Sequence, residues 1–284
     1  MAATSTGDSN YVLFGGGYGS TYYDTVDAYN TSLSRSNPTV LKNARYYLAA
    51  ARTRSYAIFF TGHNSGTIDA YNNSLTRSNP TGSGFVTVKK YGATSTYNND
   101  YDYALFGGGQ NATYSSTVST VIAINNSLTF SFPPSLSQAR WGLAAASNGR
   151  YILFAGGTSG SICYNIVDFY DSINLTTSRT ESPLSAAVSN LASASSSRYG
   201  RMLFGGGSYL TNGDEYTTDI VNLYDGSATK NSIAGFGNSY GVKDLAATSL
   251  GRYIFFGGGT YIYKYNGSSY TSNSSGLHIY YIYG

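Results

Sequence analysis

One short sequence signature occurs six times along this chain and constrains the fold more than any other feature. Each copy is an apolar run that ends in Phe and leads into small residues, mostly glycine. The copies occupy residues 11–17, 57–62, 103–109, 151–157, 201–207 and 253–259. Aligned on the last Phe of each copy, at positions 14, 60, 106, 154, 204 and 256, they are 46 to 52 residues apart. This period predicts an architecture of small repeated β-sheets.

Each repeat has the pattern of four short strands. Small residues form the first strand, as in 48–51 and 143–146, and the apolar run that ends in Phe forms the second. Apolar and polar residues then alternate in a third strand, as in 26–29 and 262–265. A polar outer strand follows, as in 32–38, where a Pro is compatible with a sheet edge. Slim first strands suit the crowded axis of a ring, so the pattern predicts a β-propeller.

The predicted fold is therefore an all-β, six-bladed β-propeller of four-stranded antiparallel blades in one domain, residues 1–284. We place the blades at about 1–43, 44–88, 89–138, 139–188, 189–240 and 241–284. The closure of the ring is left open by the tail at 277–283, which is apolar enough to be a strand. We favour the fourth strand of blade six over a clasp against blade one.

These units resemble Kelch-type β-propeller repeats over essentially the whole chain. The likeness is carried by the double glycine after an apolar run and by the Asp-x-Tyr of the following strand. The repeats are most similar to tandem Leu-Phe-Gly-Gly-Gly repeats of bacteriophage and gut-bacterial proteins. The fourth-strand Trp of ordinary Kelch repeats is absent, and the one Trp, Trp141, precedes a first strand. The resemblance implies a Kelch-like fold and a phage or bacterial surface setting.

Composition excludes several functional classes. Charged residues make up 11% of the chain, and 17 Lys and Arg against 14 Asp and Glu leave a net charge of +3, which argues against nucleic acid as a partner. No apolar stretch approaches the roughly 18 residues of a membrane helix. The first residues lack the features of a secretory signal. We expect a virion or an extracellular surface structure, and otherwise the cytoplasm.

Residues suited to catalysis are few. The chain has two His and one Cys, so we expect no metal and no cofactor. Asp27, Asp69 and Asp168 share one repeat position, which favours a hydrogen-bonding role in the fold over catalysis. We therefore predict that the protein is not an enzyme. The alternative is a carbohydrate-acting propeller enzyme, epimerase- or hydrolase-like, that uses isolated residues such as Asp214, Glu215 or Arg140.

Binding is the better prediction, because Tyr, Ser, Gly and Asn dominate the loops after the glycines, as they do in binding loops. In a propeller these loops share a face with the connections that lead into the next blade, which hold Arg45 and Arg140. Either Arg binds an acidic group or a sugar of the partner, or it ties the blades together. His63 is interpreted as the replacement of a motif glycine. The candidate binding residues are Tyr18, Tyr22, Tyr23, Arg45, His63, Tyr114, Arg140, Trp141, Tyr164, Tyr209 and Tyr216.

The sequence thus predicts a non-enzymatic binding or assembly module with a protein or glycan partner. Other proteins of a virion or surface structure are candidate partners, and membrane insertion is not expected.

Overall fold

The computed structural model describes residues 1–63, 65–82, 88–89, 91–97, 102–111, 115–179, 182–231, 233–237, 241–250, 252–265, 268–273 and 277–281. Nearly all regular structure in these ranges is β-strand, and their one helix is the 3-10 turn Ser197–Tyr199. Glycine disfavours helices, and Tyr, with the β-branched residues, favours strands. With 34 Gly and 30 Tyr among 284 residues, the composition agrees with an all-β fold.

The chain divides into two compact units, Met1–Ala139 and Arg140–Gly284. The first unit holds three four-stranded antiparallel sheets, which we call blades 1, 2 and 3. Blade 1 contains Ala2–Ser5, Tyr11–Tyr18, Tyr22–Asn30 and Arg35–Ser36; blade 2 contains Ala49–Arg52, Tyr56–Phe60, Ile68–Asn72 and Arg77–Ser78; blade 3 contains Gly92–Tyr97, Asp102–Gly107, Val121–Asn125 and Phe130–Ser131. In each blade the strands are paired in chain order, and the short strand Val88–Lys89 pairs with Gln110–Asn111.

The second unit holds blades 4, 5 and 6. Blade 4 contains Ala144–Ser147, Tyr151–Ala155, Val167–Asp171 and Thr177–Arg179; blade 5 contains Ala192–Ser196, Arg201–Gly205, Val221–Tyr224 and Lys230–Asn231; blade 6 contains Ala246–Leu250, Tyr253–Gly257 and Leu277–Tyr281. Hairpins follow the glycines in each blade: Thr158–Ser159 with Ile162–Cys163, Ser208–Thr211 with Asp214–Thr217, and Thr260–Tyr265 with Ser268–Asn273. We number the strands of each blade from the inner first strand outward.

The motif Phe of the second strand packs edge-on against an aromatic ring of the third strand in five blades. The pairs are Phe14–Tyr29, Phe59–Tyr71, Phe154–Tyr170, Phe204–Tyr224 and Phe256–Tyr280, with ring centroids 5.8 to 6.0 Å apart. Edge-to-face packing is a favoured geometry for two aromatic rings. This repeated pair defines structurally equivalent positions in the blades.

The pair corrects the sequence alignment of blade 2. Phe59, and not Phe60, is the equivalent of Phe14, since Phe59 lies opposite Asp69 as Phe14 lies opposite Asp27. Thr61 then occupies the position of the second motif glycine, and it has a positive φ of 40°. The prediction that His63 replaces a glycine is wrong, because Gly62 is the last glycine of the motif and His63 follows it.

The pair also corrects the third strand of blade 6. The predicted third strand, 262–265, belongs instead to the hairpin after the glycines. The tail strand Leu277–Tyr281 pairs with Tyr253–Gly257 as third strand, so the prediction of a fourth strand is wrong. In blade 6, Tyr280 of this tail strand supplies the ring that contacts Phe256. In blades 1, 2, 4 and 5, the contacting Tyr lies in a third strand that is closer in sequence to the motif Phe.

Apolar clusters fill the space between neighbouring blades within each unit. One cluster joins Leu13 and Val26 of blade 1 to Phe59 of blade 2, and another joins blades 2 and 3. Two clusters join blades 4 and 5 and blades 5 and 6. The third-strand tyrosines extend this packing, because the Tyr71 hydroxyl donates to Thr39 O at 2.6 Å and burial raises the pKa of that hydroxyl.

The motif glycines bring each second strand against the connection that leads into the next blade. A Cβ on Gly156, whose φ is +68°, would lie 2.7 Å from Val188 O, a contact that no side chain tolerates. Backbone hydrogen bonds seal the same junction, from Gly17 N to Arg45 O and from Gly157 N to Val188 O, at 2.8 and 2.7 Å. The loops after the glycines therefore adjoin the connections between blades, as the sequence predicts.

Candidate functional site

Five aromatic side chains meet where the loop after the glycines of blade 1 adjoins blade 2. They are Tyr18, Tyr22, Tyr46, Tyr47 and His63, which we call the aromatic cluster. Tyr22 stacks on Tyr46 with centroids 5.2 Å apart, and Tyr18 lies 5.6 Å from Tyr22. Tyr46 also contacts Tyr47 at 4.5 Å and His63 at 4.7 Å. Contacts between neighbouring rings thus connect all five side chains.

Local backbone structure holds the aromatic cluster in place. The second and third strands of blade 1 extend past their glycines, which pairs Tyr18 with Tyr22 across the two strands. On the blade 2 side, His63 N donates to Tyr46 O at 2.8 Å. The cluster is open to solvent, since Tyr18 is 64% exposed, Tyr47 43% and Tyr22 38%. Exposed tyrosines on a fixed backbone form a preorganised contact surface.

Arg45 and Arg140 do not belong to this surface. Both side chains are 0% exposed and form ion pairs of 2.7 Å, Arg45 with Asp69 and Arg140 with Asp168. Burial lowers the pKa of both guanidinium groups, and the paired aspartates oppose that shift. Each guanidinium is enclosed with a buried carboxylate, which favours the structural tie over contact with a ligand. The Asp position has the structural role that its repetition suggests.

Each buried Arg joins the connection before its blade to two strands of that blade. Arg45 Nε donates to Thr61 O at 2.7 Å, and Arg45 Nη1 donates to Asn43 O at 3.1 Å. Arg140 repeats the arrangement, with Nε donating to Gly156 O at 2.6 Å and Nη2 to Phe154 O at 3.1 Å. Of the two interpretations drawn from the sequence, the structural tie is the one that these contacts favour.

In the second unit, the hairpin after the glycines of blade 5 also brings two aromatic rings together. Tyr209 and Tyr216 stack across their hairpin with centroids 5.7 Å apart. Beside them a groove of about 650 Å³ is lined by Ile162, Cys163, Leu210 and other residues. Its walls are largely aliphatic.

Trp141 and Tyr164 are half-buried and occupy structural positions in the second unit. Trp141 forms a backbone bridge with Thr158, with N–O distances of 3.0 and 2.8 Å. Tyr164 N donates to Gly157 O at 2.9 Å. These contacts anchor the loop after the glycines of blade 4.

An ion pair occupies the neighbouring junction between blades 5 and 6. Lys243 Nζ lies 2.7 Å from both carboxylate oxygens of Glu215. Burial alone would raise the pKa of Glu215, but hydrogen bonds from Lys243 and Ser208 hold it below its ordinary value. Glu215 is therefore a paired anion, and a carboxylate in this state is a poor general acid at neutral pH.

The sequence named only part of the aromatic cluster. Tyr18, Tyr22 and His63 were predicted binding residues and do lie together, whereas Tyr46 and Tyr47 were expected on the same face beside Arg45 but were not chosen as binding residues. A signal for them existed, since they directly follow Arg45 as Trp141 follows Arg140. Two further candidates need separate mention. Tyr23 is exposed beside the cluster and accepts a bond from Arg45 N through its carbonyl, and Tyr114 lies outside the described residues.

The described residues hold neither a cluster of metal-ligating side chains nor a membrane-spanning helix. In these ranges, no group of three or more His, Cys, Asp or Glu residues could hold a metal ion. No helix there has the length and apolarity needed to cross a membrane.

Comparison with known proteins supports the fold. No family model matches the sequence, and no curated protein matches it. The solved structure described as "Structure of YjhT" is similar, with a TM-score of 0.65 and 14% sequence identity, over 98% of this chain and 96% of that one. Identity this low is informative about the fold alone. The protein is a six-bladed β-propeller with mostly four-stranded antiparallel blades and a Kelch-like fold.

Proposed function

We propose that this protein is a non-enzymatic binding or assembly module that recognises a protein or a glycan through the aromatic cluster. The observation that carries the proposal is the set of contacts among Tyr18, Tyr22, Tyr46, Tyr47 and His63, with three of the tyrosines well exposed. Soluble proteins rarely expose contiguous aromatic surface without using it for binding.

The chemistry of the aromatic cluster suits either partner. A Tyr ring offers a large, rigid contact area and a hydroxyl that can donate or accept a hydrogen bond. Ring faces pack against the C–H face of a sugar, and the same rings act as anchors in protein interfaces. Because Arg45 is buried in an ion pair, the cluster recognises its partner through shape and hydroxyl groups rather than through that charge.

The surroundings of the residues suited to acid–base chemistry favour binding over catalysis. Glu215 is held by Lys243, and Asp168 is buried against Arg140. His63 contacts the rings of Tyr22 and Tyr46. General acid–base catalysis needs a titratable group within hydrogen-bonding reach of the substrate. These three side chains instead form contacts with neighbouring side chains of the protein.

We extend the proposal to the biological setting: a phage particle or another bacterial-associated surface structure. This part rests on the resemblance of the Leu-Phe-Gly-Gly-Gly repeats to phage and gut-bacterial sequences. A fold alone does not define a function, so the setting needs its own test.

Binding of the purified protein to a glycan array and to intact bacterial cells tests the proposal. We expect replacement of Tyr18, Tyr22 and Tyr47 with Ser to weaken binding by about 100-fold or more, as loss of several anchor residues does. The fold should persist, because these side chains lie outside the apolar clusters between blades.

Three matched controls locate the surface. Tyr253→Ser removes an exposed Tyr at the start of a second strand, away from the loops after the glycines. Tyr209→Ser tests the second unit, and Arg35→Ser tests an outer strand. If the triple variant binds normally while Arg35→Ser does not, the outer strands are the working surface. Turnover of a sugar detected by NMR would replace this proposal with the enzyme alternative.

A further inference from the structure

A polar cavity lies at the opposite ends of the strands, where the turns between the first and second strands of blades 1 and 2 meet the first and second strands of blade 3. Its volume is about 210 Å³, and Gly7, Ser9, Arg52, Thr53, Arg54, Ser95 and Asp102 line it. None of these residues belongs to the aromatic cluster. The cavity is therefore a separate feature of the first unit.

The wall between blades 1 and 2 depends on a backbone contact at Gly7. A Cβ on Gly7 would lie 1.6 Å from Arg54 O, so only glycine fits at this position. Arg52 reinforces the contact, because its Nη1 donates to Thr6 O and Gly7 O, each at 3.3 Å, and to Ser9 Oγ at 3.0 Å. The Arg52 guanidinium is thus held by the turn of blade 1.

The wall between blades 2 and 3 is equally ordered. Arg54 N donates to both carboxylate oxygens of Asp102, at 3.0 and 2.8 Å. Arg52 N donates to Ser95 Oγ at 2.7 Å. Three blades therefore fix the positions of a guanidinium group, a hydroxyl and a carboxylate around one small space.

Hydrogen-bonding capacity remains in these walls. A carboxylate has about four acceptor sites, and the two bonds from Arg54 N leave part of that capacity of Asp102 unused. Within the described ranges, Thr53 is 2% exposed and its Oγ1 has no hydrogen-bond partner. Burial also raises the pKa of Asp102, and the hydrogen bond from Arg54 N opposes that shift. Unsatisfied polar groups of this kind favour a bound partner that donates and accepts hydrogen bonds.

We propose that this cavity binds a neutral polyhydroxylated small molecule of the size of one sugar ring. Asp102 disfavours an anion and the Arg52 guanidinium disfavours a cation, whereas adjacent hydroxyl groups can donate to the carboxylate and accept from that guanidinium. Its volume is several times the roughly 30 Å³ that one water occupies in the liquid. A space of this size accommodates a single sugar ring.

Saturation-transfer difference NMR on the full chain, with glucose, galactose, mannose, fucose and N-acetylglucosamine as probes, tests the proposal. We expect saturable binding of at least one sugar, weakened about tenfold or more by Asp102→Asn, since hydrogen bonds to a charged acceptor are the stronger ones. Thr53→Val, which preserves side-chain shape, should weaken binding less. Asp27→Asn is the matched control at a distant carboxylate and should leave the affinity unchanged. Circular dichroism confirms that each variant is folded.

The possible results separate this site from the aromatic cluster. Sugar binding that falls in Asp102→Asn and survives Tyr18→Ser with Tyr22→Ser supports the cavity. Sugar binding that survives in Asp102→Asn and is lost in the tyrosine variant overturns the cavity proposal. No saturable binding of any probe overturns it as well, and so does binding of inorganic phosphate without binding of a sugar.

Discussion

At one equivalent position, blade 2 has a charged side chain and blade 5 has an apolar one. We call the residue four positions before each inner strand the lead-in residue; it is Arg45 in blade 2 and Val188 in blade 5. The residue opposite the motif Phe is Asp69 in blade 2 and Asn222 in blade 5. Blade 4 follows blade 2, with Arg140 and Asp168. The two positions therefore change together along the chain.

One contact survives the change. Asp69 Oδ1 accepts a bond from Lys42 N at 2.9 Å, and Asn222 Oδ1 accepts the equivalent bond from Ser185 N at 2.9 Å. The other carboxylate oxygen of Asp69 binds Arg45, and that ion pair has no counterpart when the lead-in residue is Val. An amide oxygen thus retains the backbone contact without carrying a charge.

The packing beneath the lead-in residue is also equivalent. A Cβ on Gly62 would lie 3.2 Å from Arg45 Cδ, and a Cβ on Gly207 would lie 3.2 Å from Val188 Cβ. An aliphatic stem and a small branched side chain therefore both cover the last motif glycine. In these two blades the position keeps an apolar cover over the last motif glycine and one acceptor for the backbone N–H, and the buried charge of blade 2 occurs together with its partner.

The largest expected effect on stability comes from removing one partner of a buried ion pair. Arg140→Val removes the buried cation that lies 2.7 Å from the Asp168 carboxylate, and we expect the free energy of unfolding to fall by about 3–5 kcal/mol. Urea titration of the variant and the parent protein measures the difference.

The double variant Arg140→Val with Asp168→Asn gives blade 4 the residues of blade 5. We expect it to recover most of the stability lost in the single variant, because exchange of a complete buried ion pair for apolar packing is often nearly neutral. A double variant as unstable as the sum of the two single variants would show that blades 4 and 5 are not interchangeable here.

A smaller effect is expected when the positive charge of Arg45 is kept but its planar guanidinium group is removed. Arg45→Lys keeps a cation near Asp69, but an ammonium group cannot reach Thr61 O, Asn43 O and the carboxylate together. We expect a loss of about 1–3 kcal/mol in the free energy of unfolding, from buried carbonyl groups left without donors. Thermal and urea denaturation check this. Equal stability of Arg45→Lys and the parent protein would mean that charge alone is needed.

The repeat period and the apolar second strands were enough to predict six blades, because each second strand can be recognised from a short stretch of sequence. The same patterns failed where two residues were locally equivalent. In blade 2, Phe59 and Phe60 are both aromatic, and only cross-strand register identifies Phe59 as the motif residue. In blade 6, the nearer apolar segment resembled a third strand, whereas pairing selects the distant Leu277–Tyr281.

The candidate site was harder to predict, because it depends on side-chain direction and on neighbours distant in sequence. Tyr18 and Tyr22 were recognisable from loop composition, but their contact with Tyr46 depends on the junction between two blades. Arg45 next to tyrosines suggested a ligand site from sequence, and its burial follows from an Asp 24 residues away. Composition thus predicts exposed aromatic loops more easily than it identifies charged side chains that become buried in the fold.

The smallest expected effect concerns the exposed pair in blade 1, where Asp27 occupies the position of Asp69. Its partner is Arg35 of the outer strand, with Arg35 Nη2 and Asp27 Oδ1 2.6 Å apart and side-chain exposures of 55% and 30%. Water solvates both groups, so loss of the pair leaves no buried charge behind. We expect Asp27→Asn to lower the melting temperature by less than about 2 °C, and less still at high salt. A salt-independent loss as large as that of Arg140→Val would show that sequence position, and not burial, decides the importance of this aspartate.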